Sequence, residues 1–287
     1  MNILITGANG LLGKSLLQKL SLKHNIYAIV GKNNKLKSTD NIKILEIDLF
    51  NLNINKLPKN IDVIYYLAQS NHFREFPSKT IDMLNININA PVRLALWGKQ
   101  NNIKKFIFVS SGGVYKHPIK PLQEVFEKNG FYLDSKLSAE ILLRNFASFF
   151  ETFVIVRPFF MYGPGQNTSM LIPRLINNVQ DENEITLSYK NGIKINPIYV
   201  DDVSISMEKL LDLKGEYTFN IAGNEVVSLR ELSEMIGIIV NKTPKYKVLD
   251  NSQSDLVADI SKMKEKLCKP TMALIDGLER VYRATSR

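Results

Sequence analysis

The sequence predicts an α/β fold: a doubly wound parallel sheet followed by a smaller mixed α/β C-terminal domain. Three observations carry this. Short runs, apolar almost throughout, alternate with amphipathic stretches through the first half of the chain. A glycine-rich turn follows the first of those runs. After Pro164 the alternation gives way to isolated strands mixed with helices.

The predicted strands of the first half are residues 2–6, 26–30, 42–47, 62–67, 105–110 and 153–157. They are rich in Ile, Val, Phe and Tyr on both alternating positions, as parallel strands covered on both faces require. Between the first two, Leu12, Leu16, Leu17 and Leu20 recur at helical spacing and give that segment one apolar face. Residues 81–100 read as a longer helix kinked at Pro91, which has no N–H to give the helical ladder. Strand–helix alternation of this kind orders the strands in parallel. In the second half, strands are predicted over 184–187, 198–200, 217–221 and 246–249. Ser228-Leu229-Arg230-Glu231 forms a capping box that opens a helix over Leu229–Val240. The chain shows no internal repeat, low-complexity tract or flexible linker.

Composition narrows the partners. Of the 287 residues, 45% are apolar and 23% charged, enough to build a sizeable core. The net charge of +9 raises nucleic acid as a partner, but the lysines are scattered. Lys32, Lys35 and Lys37, or Lys262, Lys264 and Lys266, are short groups and not a basic stripe, so no nucleic acid is expected. The most apolar stretch, 141–161, is broken by Arg144, Glu151 and Arg157, so no membrane span is expected. The first residues already read as a strand and leave no room for a targeting peptide. Cys268 is the single cysteine, so no internal disulfide forms and a cytoplasmic setting is expected.

Thr6-Gly7-Ala8-Asn9-Gly10-Leu11-Leu12-Gly13 closes the first strand and opens the first helix. There the chain must turn sharply, admit a pyrophosphate to the backbone and pack helix on strand, and residues without side chains serve each need. This is the phosphate-binding turn of a Rossmann-type doubly wound parallel sheet, with Gly7, Asn9, Gly10, Leu11, Leu12 and Gly13 around the cofactor and the helix N-terminus offering N–H groups. An NAD site usually carries an acid at the end of the second strand. Residues 28–33 read Ala-Ile-Val-Gly-Lys-Asn, without an acid and with Lys32 where a 2′-phosphate needs a cation. NADP(H) is therefore the preferred cofactor and NAD(H) the alternative. Asp48 and Leu49, after the third strand, either grip the adenine edge or form a strand-end turn.

The chemistry sits further on. Ser110 and Ser111 end the fifth strand at the carboxyl edge, where such sheets bind ligands. Tyr132 and Lys136 follow at a helix start, four residues apart and so on one face. A phenol with a pKa of about 10 is a poor base at neutral pH. The ammonium of Lys136 alongside lowers that value, and Ser111 can hydrogen-bond the same substrate oxygen. The histidines, His24, His72 and His117, lack metal-ligand spacing, so no metal is expected. His72, in the loop after the fourth strand, is either a further acid toward substrate or an ordinary loop histidine. Trp97, Phe149 and Phe150 read as core or interface, not as a base-stacking platform.

Thr6 through Gly13, Asp48-Leu49, Leu67-Ala68-Gln69, Asn87-Ile88, Ser110-Ser111, Tyr132 with Lys136, Arg157-Pro158 and Tyr162-Gly163-Pro164 occur in this order and spacing. So do 196–203 (Asn-Pro-Ile-Tyr-Val-Asp-Asp-Val), 219–223 (Phe-Asn-Ile-Ala-Gly) and Asp259-Ile260-Ser261. Over nearly its whole length the chain thus resembles the extended short-chain dehydrogenase/reductases, the NAD-dependent epimerase/dehydratase type. The resemblance implies Ser111, Tyr132 and Lys136 as the catalytic group, with Lys136 also on the nicotinamide ribose. It implies that Leu67, Ala68, Gln69 and Pro158 line the cofactor and that Asn87 supports the site. It implies a nucleotide-binding domain over 1–162 and a substrate domain over 163–287, with the segment near 196–213 packing back on the sheet. Three departures bear on the reaction. Gly112 and Gly113 stand where family dehydratases carry an Asp-Glu pair. Phe160 replaces an asparagine common two residues before the Tyr-Gly. Ile195 or Asn196, with Lys194 nearby, replaces an arginine that binds the sugar-nucleotide diphosphate.

These residues favour an NADPH-dependent reductase of a nucleotide-linked keto-sugar. The alternative is a nucleotide-sugar epimerase that keeps NAD bound and uses the same groups. A homodimer is compatible with either. A reading from another class, a cofactor-sensing or RNA-binding module, has no need of an intact Ser111, Tyr132 and Lys136.

Overall fold

The computed structural model describes residues 1–32, 34–115, 130–251 and 253–285. The chain divides into two compact units. The first comprises Met1–Arg157 and Ser204–Phe219, and the second Pro158–Val203 and Asn220–Arg287.

The first unit is built on the sheet the sequence predicts. Its strands are β1 (Asn2–Thr6), β2 (Asn25–Val30), β3 (Ile42–Glu46), β4 (Val63–Tyr66), β5 (Lys105–Val109) and β6 (Thr152–Pro158). Each lies within a residue of its expected bounds, because the apolar run is what two covered faces demand. The order 3-2-1-4-5-6 with every one of these pairings parallel is the doubly wound arrangement. Leu12, Leu16, Leu17 and Leu20 of α1 (Leu11–Leu20) are buried, as their spacing requires. In β4, Tyr65 and Tyr66 are wholly buried, and each spends its hydroxyl on a backbone carbonyl, of Met207 at 2.7 Å and of Ile86. Burial pushes both phenols far above their ordinary range.

The helical stretch around Pro91 departs from a simple kink. It runs as α2 (Thr80–Leu84), a π-helical turn (Asn85–Asn89) and α3 (Ala90–Gln100). Pro91 has no N–H for the carbonyl four residues back, so the ladder slips and the Ala90 amide reaches Asn85 O instead. The helix α4 (Phe131–Arg144) carries the Tyr–Lys pair.

Five short strands and two helices follow: β7 (Met161–Tyr162), α5 (Leu171–Gln180), β8 (Glu184–Ser188), β9 (Lys194–Ile195), β10 (Ile198–Tyr199), α6 (Val200–Lys209) and β11 (Gly215–Ile221). The sequence suggested β11 as an isolated strand of the second half. It instead forms the seventh strand of the main sheet, beside β6. The segment Ser204–Phe219 is tied in from several sides. Lys105 Nζ donates to Leu213 O at 2.7 Å, the Gly215 amide donates to Glu151 O at 2.8 Å, and Arg144 donates to Thr218 Oγ1 at 2.9 Å.

The second unit holds three two-stranded pairings, β7 with β10, β8 with β13 (Lys245–Leu249) and β9 with β12 (Val227–Ser228). Its helices include α7 (Leu229–Val240), which opens with the predicted capping box: Ser228 Oγ accepts from the Glu231 amide at 3.2 Å, and Glu231 accepts from the Ser228 amide at 2.7 Å. After α8 (Ser261–Lys266), α9 (Leu274–Thr285) ends the described chain, and Asp202 accepts from the Thr271 and Met272 amides ahead of it, each at 3.0 Å. Among the described residues, no helix is long and apolar enough to cross a membrane.

Candidate active site

The carboxyl ends of β1, β4 and β5 meet at one edge of the sheet, since Thr6 pairs in register with Tyr66 and Tyr66 with Phe108. Thr6 fastens this edge: its hydroxyl accepts from the Leu67 and Ala68 amides at 3.1 and 3.2 Å. Gly7 then turns with φ +65°, and a Cβ there would lie 2.9 Å from the Ala68 backbone, so both its conformation and its neighbour require glycine. At Gly13 a Cβ would lie 2.4 Å from Gly7 O, which fixes how closely α1 packs on the turn. Asn9 and Gly10 are exposed, Leu11 is half-buried, and Gly10 caps α1 without a side-chain hydrogen bond. The amides of the first helical turn therefore carry no side-chain cap, as a bound pyrophosphate would need. Leu12 faces the buried side of α1 with Leu16, Leu17 and Leu20, so its role there is packing.

A cavity of about 510 Å³ opens beside this turn. Gly7, Lys32, Asp48, Leu49 and Ala68, all expected at the cofactor, line it. Asp48 also shows its other reading. Its carboxylate accepts from the Phe50 amide at 2.9 Å and closes a strand-end turn. Glu46, Lys56 and Ile86 line the same cavity and were not foreseen. Only the strand register could have revealed Glu46, because it stands opposite Val30 at the end of the neighbouring strand.

The catalytic candidates gather at the end of β5 and the start of α4. The Tyr132 hydroxyl donates to Gln69 Oε1 at 2.7 Å, which brings the segment after β4 onto the phenol. Burial pushes that phenol up to about 12, and a hydrogen bond with Ser111 pulls the other way. The spacing of Tyr132 and Lys136 predicted the opposite direction, a phenol lowered by the ammonium. In the protein alone desolvation wins. Lys136 is 1% exposed and donates to Val109 O at 2.9 Å. Burial pushes it down to about 7, while the charge of Glu140, one turn further along α4, opposes the fall. Glu140 is itself buried and paired with Arg157, Nε to Oε1 at 2.9 Å. The Arg157 guanidinium lies 4.4 Å over the Tyr115 ring.

Asn87 works from inside the π turn. It is fully buried, accepts from the Ser70 amide at 3.0 Å and donates to Ser135 Oγ at 2.9 Å. Ser135 in turn donates to Tyr132 O at 2.7 Å, so the amide braces the first turn of α4. Both ends of the Asn87 amide are spent within the protein, which gives it a supporting place and not a cofactor contact. Two further features were not foreseen. The Phe73 ring packs 5.4 Å from the Tyr132 ring, and the Ser110 hydroxyl is buried without a hydrogen-bond partner among the described residues. His72 pairs with Glu75, Nδ1 to Oε1 at 2.7 Å, as a loop histidine does, and His117 lies outside the described residues. Among the described residues, no group of His, Cys, Asp and Glu could hold a metal ion. Pro158 ends β6 and belongs to the second unit. In that unit Ile195 is buried, and Asn196 binds Ala258 through both ends of its amide, at 2.9 and 3.0 Å. Neither has a group left for a diphosphate.

The exposed glycine turn, its bare helix N-terminus and the adjoining cavity fit a dinucleotide, and the unpartnered Ser110 hydroxyl marks a polar group still to be satisfied at the same sheet edge. Comparisons with known proteins agree. A model of the NAD dependent epimerase/dehydratase family matches residues 3–222. A Bacillus subtilis protein, the uncharacterized UDP-glucose epimerase YtcB, is 29% identical over 310 residues, which cover 97% of this chain and 96% of that one. UDP-glucuronate 4-epimerase of Thermodesulfobacterium geofontis is 25% identical over 86% of this chain and 80% of its own. Among solved structures, UDP-glucuronic acid 4-epimerase from Bacillus cereus, in complex with UDP-glucuronic acid and NAD, matches with a TM-score of 0.85 and 27% identity. That match covers 100% of this chain and 99% of that one.

Proposed function

The chain belongs to the NAD-dependent epimerase/dehydratase family, and we propose that it is a nucleotide-sugar 4-epimerase that works on a UDP-linked hexose with NAD held in place. The observation that carries this is the half-buried Tyr132 phenol between Gln69, after β4, and Ser111, after β5, with Lys136 one turn away and glycines at 112 and 113. The relatives described above bear epimerase names, one of them uncharacterized and one solved with NAD, and they favour this reading over the NADPH-dependent reductase that residues 28–32 suggested.

Bound NAD supplies the acceptor and donor of hydride. The protein handles the proton. Tyr132 takes it from the sugar hydroxyl as the carbon is oxidised and returns it once the opposite face has been presented. Gln69 holds the phenol by its Oε1, and Ser111 holds the substrate oxygen. A phenol at about 12 keeps its proton at neutral pH, so it must be lowered before it can act as a base. Lys136 would hold the cofactor ribose, and its ammonium form, together with a cationic nicotinamide, would lower the phenol. Gly112 and Gly113 bring no acid or base, so water is not eliminated.

The test is incubation of the purified protein with UDP-glucuronic acid, and separately UDP-glucose, with no cofactor added. The C4 epimer is read by NMR, and the nucleotide released on denaturation by mass spectrometry. The C4 epimer with NAD in the supernatant is the expected result. Turnover should fall by about 10²–10⁴ in Tyr132→Phe, which removes the proton and keeps the ring. NADPH consumption on a keto-sugar without epimer formation would restore the reductase reading, for which Lys32 and Lys56 on the cavity wall speak.

A further inference from the structure

The end of β2 carries no carboxylate, yet the fold brings one to the same place from the next strand. Val30 pairs in register with Glu46, so β2 and β3 end level with each other. Glu46 lines the cavity of about 510 Å³ together with Gly7, Gly31, Lys32 and Asp48. Adjacent strands lie about 4.8 Å apart. A glutamate carries its carboxylate one methylene further than an aspartate, which recovers part of that offset. The two acids on the cavity wall are not equivalent. Asp48 is committed to the Phe50 amide and to Asn51, whereas Glu46 is exposed and among the described residues has no such tie.

We propose that Glu46 accepts the hydrogen bonds of the adenosine ribose hydroxyls, replaces the acid missing from the end of β2, and thereby selects NAD over NADP. The inference rests on the dinucleotide site of the proposed function and adds a residue that decides which dinucleotide enters. A carboxylate is a good acceptor for two hydroxyls and a bad neighbour for a 2′-phosphate, so one side chain does both halves of the selection. Lys32 and Lys56 line the same cavity and pull the other way. Removal of Glu46 therefore not only weakens NAD but leaves two cations to draw in the phosphate.

The experiment offers the full chain equal concentrations of NAD and NADP, desalts it, and quantifies the released nucleotides by mass spectrometry. It needs no substrate and no turnover. The wild type should retain NAD over NADP by about tenfold or more, the size of one charge-assisted hydrogen bond. In Glu46→Gln the ratio should fall by about tenfold or invert. Glu46→Asp, which keeps the charge and shortens the reach, should fall between the two. A ratio unchanged in Glu46→Gln, or a wild type that retains NADP, overturns the inference while the dinucleotide site stands. Retention of neither nucleotide overturns the proposed function along with it.

Discussion

Phe160 is the residue at which a departure from the family pattern meets a physical cost. Its backbone takes φ +44°, in the left-handed region that asparagine tolerates and bulky side chains do not. Phe160→Asn should raise the unfolding free energy by about 1 kcal/mol, and Phe160→Gly should act in the same direction, because each relieves the strained conformation. Denaturant unfolding of the three proteins checks this; two variants that both melt earlier would mean that packing of the ring outweighs the strain. Ser111, Tyr132 and Lys136 could be put forward as candidates from the sequence because the chemistry proposed for them depends on residue type and spacing, which a sequence displays. Glu46 and Lys56 could not, because what makes them candidates is the cavity they share with Lys32. At Tyr132 the sequence displays only one side of the balance, for a similar reason. The pull of a neighbouring cation can be inferred from helical spacing, but desolvation depends on what covers the phenol, and the Phe73 ring that packs on it comes from another part of the chain.

Among the elements, the six parallel strands were legible because apolar residues dominate each run, and α1 because its leucines keep one face. The π turn at Asn85–Asn89 was only half legible. Pro91 announces a disruption, but how the freed backbone is satisfied depends on partners distant in sequence. Here the Ile86 carbonyl takes the Tyr66 hydroxyl, and Asn87 turns its amide between Ser70 and Ser135. The turn therefore links β4, the loop after it and the start of α4. Asn87→Ala should leave the buried Ser70 amide without its acceptor, at a cost of about 1–3 kcal/mol in stability. It should also lower turnover with less effect on cofactor retention, because Ser135 and the Tyr132 carbonyl lose their brace while the glycine turn is untouched. Thermal melts, epimerisation rates and retained nucleotide, measured side by side, separate these effects; an Asn87→Ala protein that loses its nucleotide and keeps its turnover would place Asn87 at the cofactor instead.

For the molecule as a whole, the first compact unit is not a continuous stretch of chain, because it takes back Ser204–Phe219 after the chain has left it at Arg157. The sequence indicated a return near 196–213, but not that it ends in a seventh strand of the sheet, since pairing at an edge depends on which edge is open. Lys105 is central to holding that return. It is 8% exposed, and its ammonium donates to Thr152 Oγ1 at 2.9 Å and to Leu213 O at 2.7 Å, so one side chain joins β5, β6 and the segment before β11. Burial holds its pKa below the ordinary lysine value. The unfolded chain therefore keeps this proton in a pH range where the folded chain gives it up, and Lys105 adds to stability as pH rises through that range. Lys105→Met keeps the apolar stem and removes the charge and both hydrogen bonds. At neutral pH the loss should be about 1 kcal/mol, since the Thr152 hydroxyl still donates to Leu213 O and part of the lost bonding is offset by no longer burying a charge. As pH rises toward the ordinary lysine pKa, the wild type gains stability that the variant lacks, so the gap between them should widen. Denaturant unfolding of both proteins across that range measures the gap directly, with the other titrating groups common to both. A gap that narrows with rising pH would mean that the ammonium, rather than the neutral amine, is the form the fold favours at this junction, and that the return segment is held by charge.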